Sequence, residues 1–172
     1  MRLVEGEAKI DDLDAFLDEV TAIGAETGCT VQAFDARYVV DRAHLERALA
    51  LADRAIDRGE NVARDRGVEV MLYAAGRRQI DRALTMGVSE GDRPVVVLVA
   101  AGAAVAGDAK GERERAAASR VDDLLAPADT LGEYDGELVR DYFDVSDAEL
   151  AATAGTLADV IRERVALLDV RK

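Results

Sequence analysis

Residues 69–88 set the constraint under which the rest of this chain has to fold. An apolar run, 70–75, is cut by Gly76, and Arg77, Arg78 and Gln79 then open a short amphipathic segment. Ile80, Ala83 and Leu84 recur at i, i+3 and i+4, which lines one face of a helix. Gly87 follows as a residue able to take the left-handed conformation that closes it. The two arginines therefore stand beside outward-pointing backbone N–H groups at the positive end of a helix dipole, a corner that attracts anions. So short an apolar run fits a strand or a buried helix equally, and period alone leaves 70–75 open.

Glu69, Leu72, Tyr73, Gly76, Arg78, Gln79, Ile80, Ala83, Leu84, Gly87 and Val88 together match a known pattern. At these residues the chain resembles the small kinase-binding accessory subunit of the KEOPS complex, the TPRKB-like family. Upstream, Phe34-Asp35-Ala36-Arg37-Tyr38-Val39-Val40 and His44-Leu45-Glu46 look like the family's approach to its long helix, and 89–100 looks like its following strand. The resemblance covers most of 1–168 and is most specific in 34–100. It implies that 70–75 is helical, so that 61–87 forms a helix–turn–helix pair in the geometrical sense only.

The resemblance also implies a function without chemistry of its own. The family's subunit docks on an atypical kinase and, in archaeal-type complexes, helps recruit tRNA by its single-stranded 3′ CCA end. The complex places a threonylcarbamoyl group on adenosine 37. The residues matching the motif at the arginine corner, Tyr73, Arg77, Arg78, Gln79 and Ile80, are the candidate tRNA contacts. The kinase contact is assigned to an apolar strip shared by the C-terminal helix, through Leu157, Ile161, Val165 and Leu168, and the 69–87 unit, because subunit interfaces want an apolar centre.

Charge pulls the other way. The net charge is −13, lysine occurs only at Lys9, Lys110 and Lys172, and arginine supplies the remaining bases. Such a surface repels itself at low ionic strength and is relieved when salt screens it, which points to a halophilic chain. The acids are spread along the predicted helices and form no single block, so no dedicated basic partner is indicated. An acidic protein is by default a poor nucleic-acid binder, and the tRNA role implied by the resemblance stands against that default.

Other motifs narrow the function by exclusion. Cys29 is the only cysteine and His44 the only histidine, so neither a disulfide within the chain nor a thiolate or imidazole metal cluster is expected. His44, in the first turn of a predicted helix, reads as a packed or hydrogen-bonded side chain. Gly102 and Gly107 have phosphate-loop spacing, but Asp108 stands where the lysine is needed. A nucleophile with an adjacent base is also missing, so no enzyme, cofactor or metal is expected. A stand-alone small-molecule-binding α/β domain, or an enzyme with an unrecognised site, are the competing readings. The apolar run 95–106 is too short to span a bilayer and 1–7 lacks the order of a signal peptide, so a cytoplasmic protein without a membrane is expected.

The fold expected is α/β in the α+β sense: a single domain over 1–172 with a small antiparallel or mixed sheet formed by 2–8, 31–40 and 95–101. Helices pack around it. Asp11 or Asp12 caps the first helix, Asp41 caps the best one, and Leu45, Ala48, Leu49, Ala52 and Ile56 are its inward face. Residues 112–125 form a charged helix broken by Pro127, and 103–120 is the candidate mobile insertion. Residues 131–145 are a loop with at most a short helix. Ser146 and Glu149 form a capping box opening one last helix that carries the stripe. A homodimer in isolation is left open.

Overall fold

The computed structural model describes residues 1–170. Its described residues form eight α-helices and a four-stranded antiparallel sheet, an α+β fold. The chain divides into two compact units where the sequence reading takes 1–172 as one domain. One comprises Met1–Ala36 and Gly87–Leu131, the other Arg37–Met86 and the chain from Gly132 onward.

The first unit is built on strands β1 (Arg2–Ile10), β2 (Cys29–Asp35), β3 (Gly91–Ala101) and β4 (Ala126–Pro127), in the order β2-β3-β1-β4. β3 is central, with Arg2 opposite Val99 on one side and Val31 opposite Val99 on the other. That position explains its unbroken apolar run, since every residue from Val95 to Ala101 is buried. β1 alternates from Val4 onward, with Val4, Gly6, Ala8 and Ile10 inward and Glu7 and Lys9 exposed. Helices α1 (Leu13–Thr27) and α5 (Asp108–Asp122) cover this inward face, and Ile23, Ala117 and Val121 join Val95, Val97 and Val99 in one cluster. α1 is capped by Asp12, whose carboxylate accepts from Ala15 N, and it ends at Gly28.

Three readings are revised here. β2 stops at Asp35, and Ala36–Tyr38 turns as a 3₁₀ segment, so 36–40 is no strand. β4 is an additional strand that pairs Gly6 with Pro127. A Cβ on Gly6 would stand 2.6 Å from the Ala126 carbonyl oxygen, so only glycine lets this strand approach. The segment read as a mobile insertion, 103–120, holds α5 from Asp108, earlier than the predicted start at 112. Within it Glu114 is buried and accepts from Ala101 N at 3.0 Å, which ties the helix to the end of β3.

The second unit is helical: α2 (Arg42–Asp57), α3 (Arg66–Ala75), α4 (Ile80–Ala83), α6 (Gly136–Tyr142), α7 (Asp147–Ala152) and α8 (Leu157–Val170). α2 packs against α3 and α8. Its buried face is Leu45, Ala48 and Ala52 as expected, widened by His44, Leu51 and Ala55, while Leu49 and Ile56 are half-buried. α3 is the centre, with every residue from Glu69 to Ala75 buried. The predicted single C-terminal helix is two. α7, capped by Ser146 through Glu149 N, ends at Ala152, and α8 restarts after Thr156, which exchanges bonds with Asp159. The reciprocal half of the predicted capping box is replaced, because the Glu149 carboxylate instead accepts from Arg164 at 2.9 Å.

Carboxylates crowd the surface of both units, and this supports a solution test. Thermal unfolding should shift upward by several degrees when molar potassium chloride is added, because screening removes self-repulsion at a net charge of −13. Glycerol should not reproduce the shift. A melting temperature that is flat or falls with salt would leave the acidity to another cause.

Candidate functional site

The motif at 69–88 lies within the helical unit as far as Met86, and its last two residues, Gly87 and Val88, belong to the sheet unit. Glu69, in the first turn of α3, is buried, and its carboxylate accepts from Val62 N at 3.0 Å and Ala63 N at 2.8 Å. It thereby holds the turn that leads into the helix, whose start is capped by Asp65 through Val68 N. Arg66 closes the same end with two parallel bonds to Asp53 of α2, at 2.7 and 2.9 Å, the geometry that makes an arginine–carboxylate pair strong. At the other end Gly76 takes the left-handed conformation (φ 60°), Gly76 N donates to Tyr73 O and Arg77 N to Leu72 O. This paired closure reverses the chain and brings 77–80 to the surface.

The five predicted tRNA contacts separate by environment. Tyr73 is buried, with its hydroxyl donating to Asp169 Oδ1 at 3.4 Å, so its ring packs in the fold and offers no face to a ligand. Arg77 is half-buried and held: its guanidinium stands 5.2 Å over the Tyr142 ring, donates to the Tyr142 carbonyl and pairs with Asp144 at 3.5 Å. Arg78, Gln79 and Ile80 are exposed. The anion corner is weaker than the sequence suggests, because α4 has only four residues and Gln79, at its cap position, makes no side-chain cap bond.

Beside the corner, Arg77, Arg82, Thr85, Asp141, Tyr142 and Asp144 line an open polar cleft of about 350 Å³. Tyr142 meets Tyr38 and Phe143 edge to face, and its hydroxyl donates to the Arg82 carbonyl at 2.8 Å. Burial pushes the Tyr142 phenol above its ordinary value, a rise partly offset by the Arg77 charge. This cleft escaped the sequence reading because α6 is more than fifty residues from α4; the only signal was the aromatic pair Tyr142-Phe143. A second depression, between Tyr73, Leu72 and Leu168, has room for about 10 Å³, the size of one water. That space is too small for a nucleobase or a metabolite. Among the described residues no group of three His, Cys, Asp or Glu side chains is placed to hold a metal ion.

The predicted kinase-facing stripe divides as well. Ile161 and Val165 are fully buried, with Val160, in the core that α8 makes with α2 and α3, so they present no surface to a partner. Leu157 and Leu168 are half-buried.

No helix among the described residues is long and apolar enough to cross a membrane. The family model described as "Kinase binding protein CGI-121" matches residues 10–169. No curated protein matches the chain.

Proposed function

Because the chain belongs to the family of kinase binding protein CGI-121, we propose that it is a non-catalytic accessory subunit of a KEOPS-type complex. In this role it binds the complex's atypical kinase and helps bring in, by its 3′ CCA end, the tRNA whose adenosine 37 is threonylcarbamoylated. The observation that carries the kinase half is the family match over nearly the whole chain. The RNA half is supported by the exposed pair Arg78 and Gln79, which follow Arg77 in the chain, and by the open cleft that Arg77 lines with Arg82, Thr85, Tyr142, Asp141 and Asp144. Guanidinium, amide and hydroxyl groups suit the edges and phosphates of an unpaired end. Arg77 and Tyr73 support the turn from within.

Co-purification from native lysate tests the kinase half, since a subunit brings a kinase with it and a free domain does not. For the RNA half, tRNA binding is measured at high salt with intact tRNA and with tRNA trimmed of its three terminal nucleotides, each against wild type and Arg78→Ala plus Gln79→Ala. High salt suppresses the phosphate contribution and leaves hydrogen bonding and stacking to be read. Trimming and the double substitution should each weaken binding roughly tenfold. Combining them should cost little more than either alone, because both remove one contact. Additive losses, or a trimmed tRNA that binds as well as intact tRNA, would place the RNA elsewhere.

A further inference from the structure

The sheet of the first unit is open along one half of β1. β4 pairs only with Gly6 and Glu7, and beyond Pro127 the chain crosses to β3, where Thr130 Oγ1 donates to Val95 O at 2.8 Å. Residues 2–4 therefore pair with β3 on one side and, among the described residues, with no strand on the other. Pro127 has no N–H, so the pair that exchanges both bonds is Glu7 with Ala126, and every second residue back along β1, Leu3 included, directs its N–H and C=O to that same edge. The edge opens into a groove of about 420 Å³, with residues 2–5 as one wall and Arg115, Ala118, Ser119 and Asp122 of α5 as the other. Helix and strand run in step: the Met1 amine meets Glu114 at 3.1 Å, and a Cβ on Gly6 would stand 3.0 Å from Leu125 Cβ. From 114 to 125 on the helix and from 1 to 6 on the strand the rise is roughly 17 Å in each case. Arg2 and Arg115 thus stand at one end of the groove, and Glu5 and Asp122 at the other. Arg2, Arg115 and Asp122 are exposed, and among the described residues their side chains make no hydrogen bond or ion pair.

We infer that this groove is a self-association surface, in which the open edge of β1 pairs antiparallel with that of a second copy about a two-fold axis through Leu3. The charges choose the occupant. A two-fold axis reverses the groove, so the basic end of each copy meets the acidic end of the other, with each Arg115 against the second copy's Asp122. Residues opposite each other in an antiparallel pair share a face, so the axis must pass through a residue. An axis through Val4 would set Arg2 against Gly6, which β4 already occupies. Through Leu3, the two copies of Leu3 exchange both backbone bonds and Arg2 stands opposite Val4. α5 packs on both β1 and β3, so strand edges about 4.8 Å apart set the two α5 helices about 10 Å apart, the spacing of packed helices. Ala118 and Ser119, small residues at the centre, admit that approach. Phosphates gain nothing here, because the groove holds as many carboxylates as guanidinium groups. The net charge of −13 opposes any meeting of two copies at low salt, and at 1 M salt, with a Debye length of about 3 Å, only groups in contact still act on one another.

Sedimentation velocity of the full chain from about 1 μM to 1 mM in molar potassium chloride tests this. The wild type should pass from monomer to dimer within that range, and the Leu3 amide should gain hydrogen-exchange protection as it does. Arg115→Asp and Asp122→Arg, both at exposed positions, should melt near wild type. Each alone sets like charges together on both sides of the axis and should weaken association at least tenfold. The two single variants mixed in equal amounts should associate as wild type does, because every pair across the axis is then one acidic and one basic side chain. A wild type that stays monomeric to about 1 mM, a dimer indifferent to either substitution, or a mixture that fails to associate overturns the assignment. Protection of the Leu3 amide that appears only when a kinase or tRNA is added also overturns it, and gives the edge to that partner instead.

Discussion

Ile161→Asp should leave no cooperatively folded helical unit to assay. Ile161 has no exposed surface, and it sits with Val160 and Val165 where α8 packs against α2 and α3. A carboxylate placed there loses its hydration and gains no partner, a cost of several kcal/mol, and the isoleucine's own packing is lost as well. Against a typical total stability of about 5–15 kcal/mol, the substitution takes most or all of what is available. Circular dichroism and a thermal melt decide this directly. Ile161→Val, which removes one methylene, should cost only about 1 kcal/mol and leave kinase binding intact. A folded Ile161→Asp with a near-native melting temperature would mean that α8 is not held where the structure has it.

Periodicity showed that Leu157, Ile161, Val165 and Leu168 share a side of a helix, and they do; what it could not show is what that side meets. An apolar stripe reads the same whether it faces its own core or another protein, and only the packing of α2 and α3 against α8 decides. The features that were legible are local ones. Asp12, Asp41 and Ser146 cap helices through backbone N–H groups three residues on, and β3 reads as an interior strand because each of its side chains from Val95 is apolar. The resemblance over 69–88 led to the family, and Glu69 and Gly76 prove to be the residues that fix the entrance and exit of α3. The break between α7 and α8 was legible and was missed, since Thr156 and Asp159 have capping-box spacing three residues apart. β4 was not legible. Its two residues gain their identity only from Gly6 and Glu7, far away in sequence. The same distance hid the Arg77 contacts with Tyr142 and Asp144, which brace the turn.

His44 carries the last expectation, in which one side chain gives both a large mutational cost and a pH dependence. The imidazole is fully buried at the start of α2. Nε2 lies 2.7 Å from the Ala74 carbonyl near the end of α3, and Val40 N donates to Nδ1 at 3.3 Å. The acceptor role of Nδ1 requires the neutral ring with its proton on Nε2, so both nitrogens are satisfied in one tautomer. Burial lowers the pKa from 6.5, against smaller upward pulls from the Ala74 bond and Asp41, and Arg162 adds to the lowering. The unfolded chain therefore takes up a proton at a higher pH than the folded one. The resulting stability is present in full above the unfolded value of 6.5 and is lost as the pH falls below it towards the lowered folded value. The chain has no other histidine to titrate in that window, and Glu114, whose burial is outweighed by the Ala101 N–H and its other partners so that its pKa falls below 4.5, acts at lower pH. His44→Phe keeps a ring in the core but strands both the Ala74 carbonyl and the Val40 N–H, and should cost roughly 2–6 kcal/mol at pH 7.5. His44→Gln can still donate to Ala74, should cost about half as much, and should flatten the decline between pH 6.5 and 5.5 that wild type shows in denaturant midpoints. A wild-type midpoint that stays level across that interval, or a His44→Phe protein as stable as wild type, would show that the bridge from α2 to α3 does not depend on the neutral imidazole.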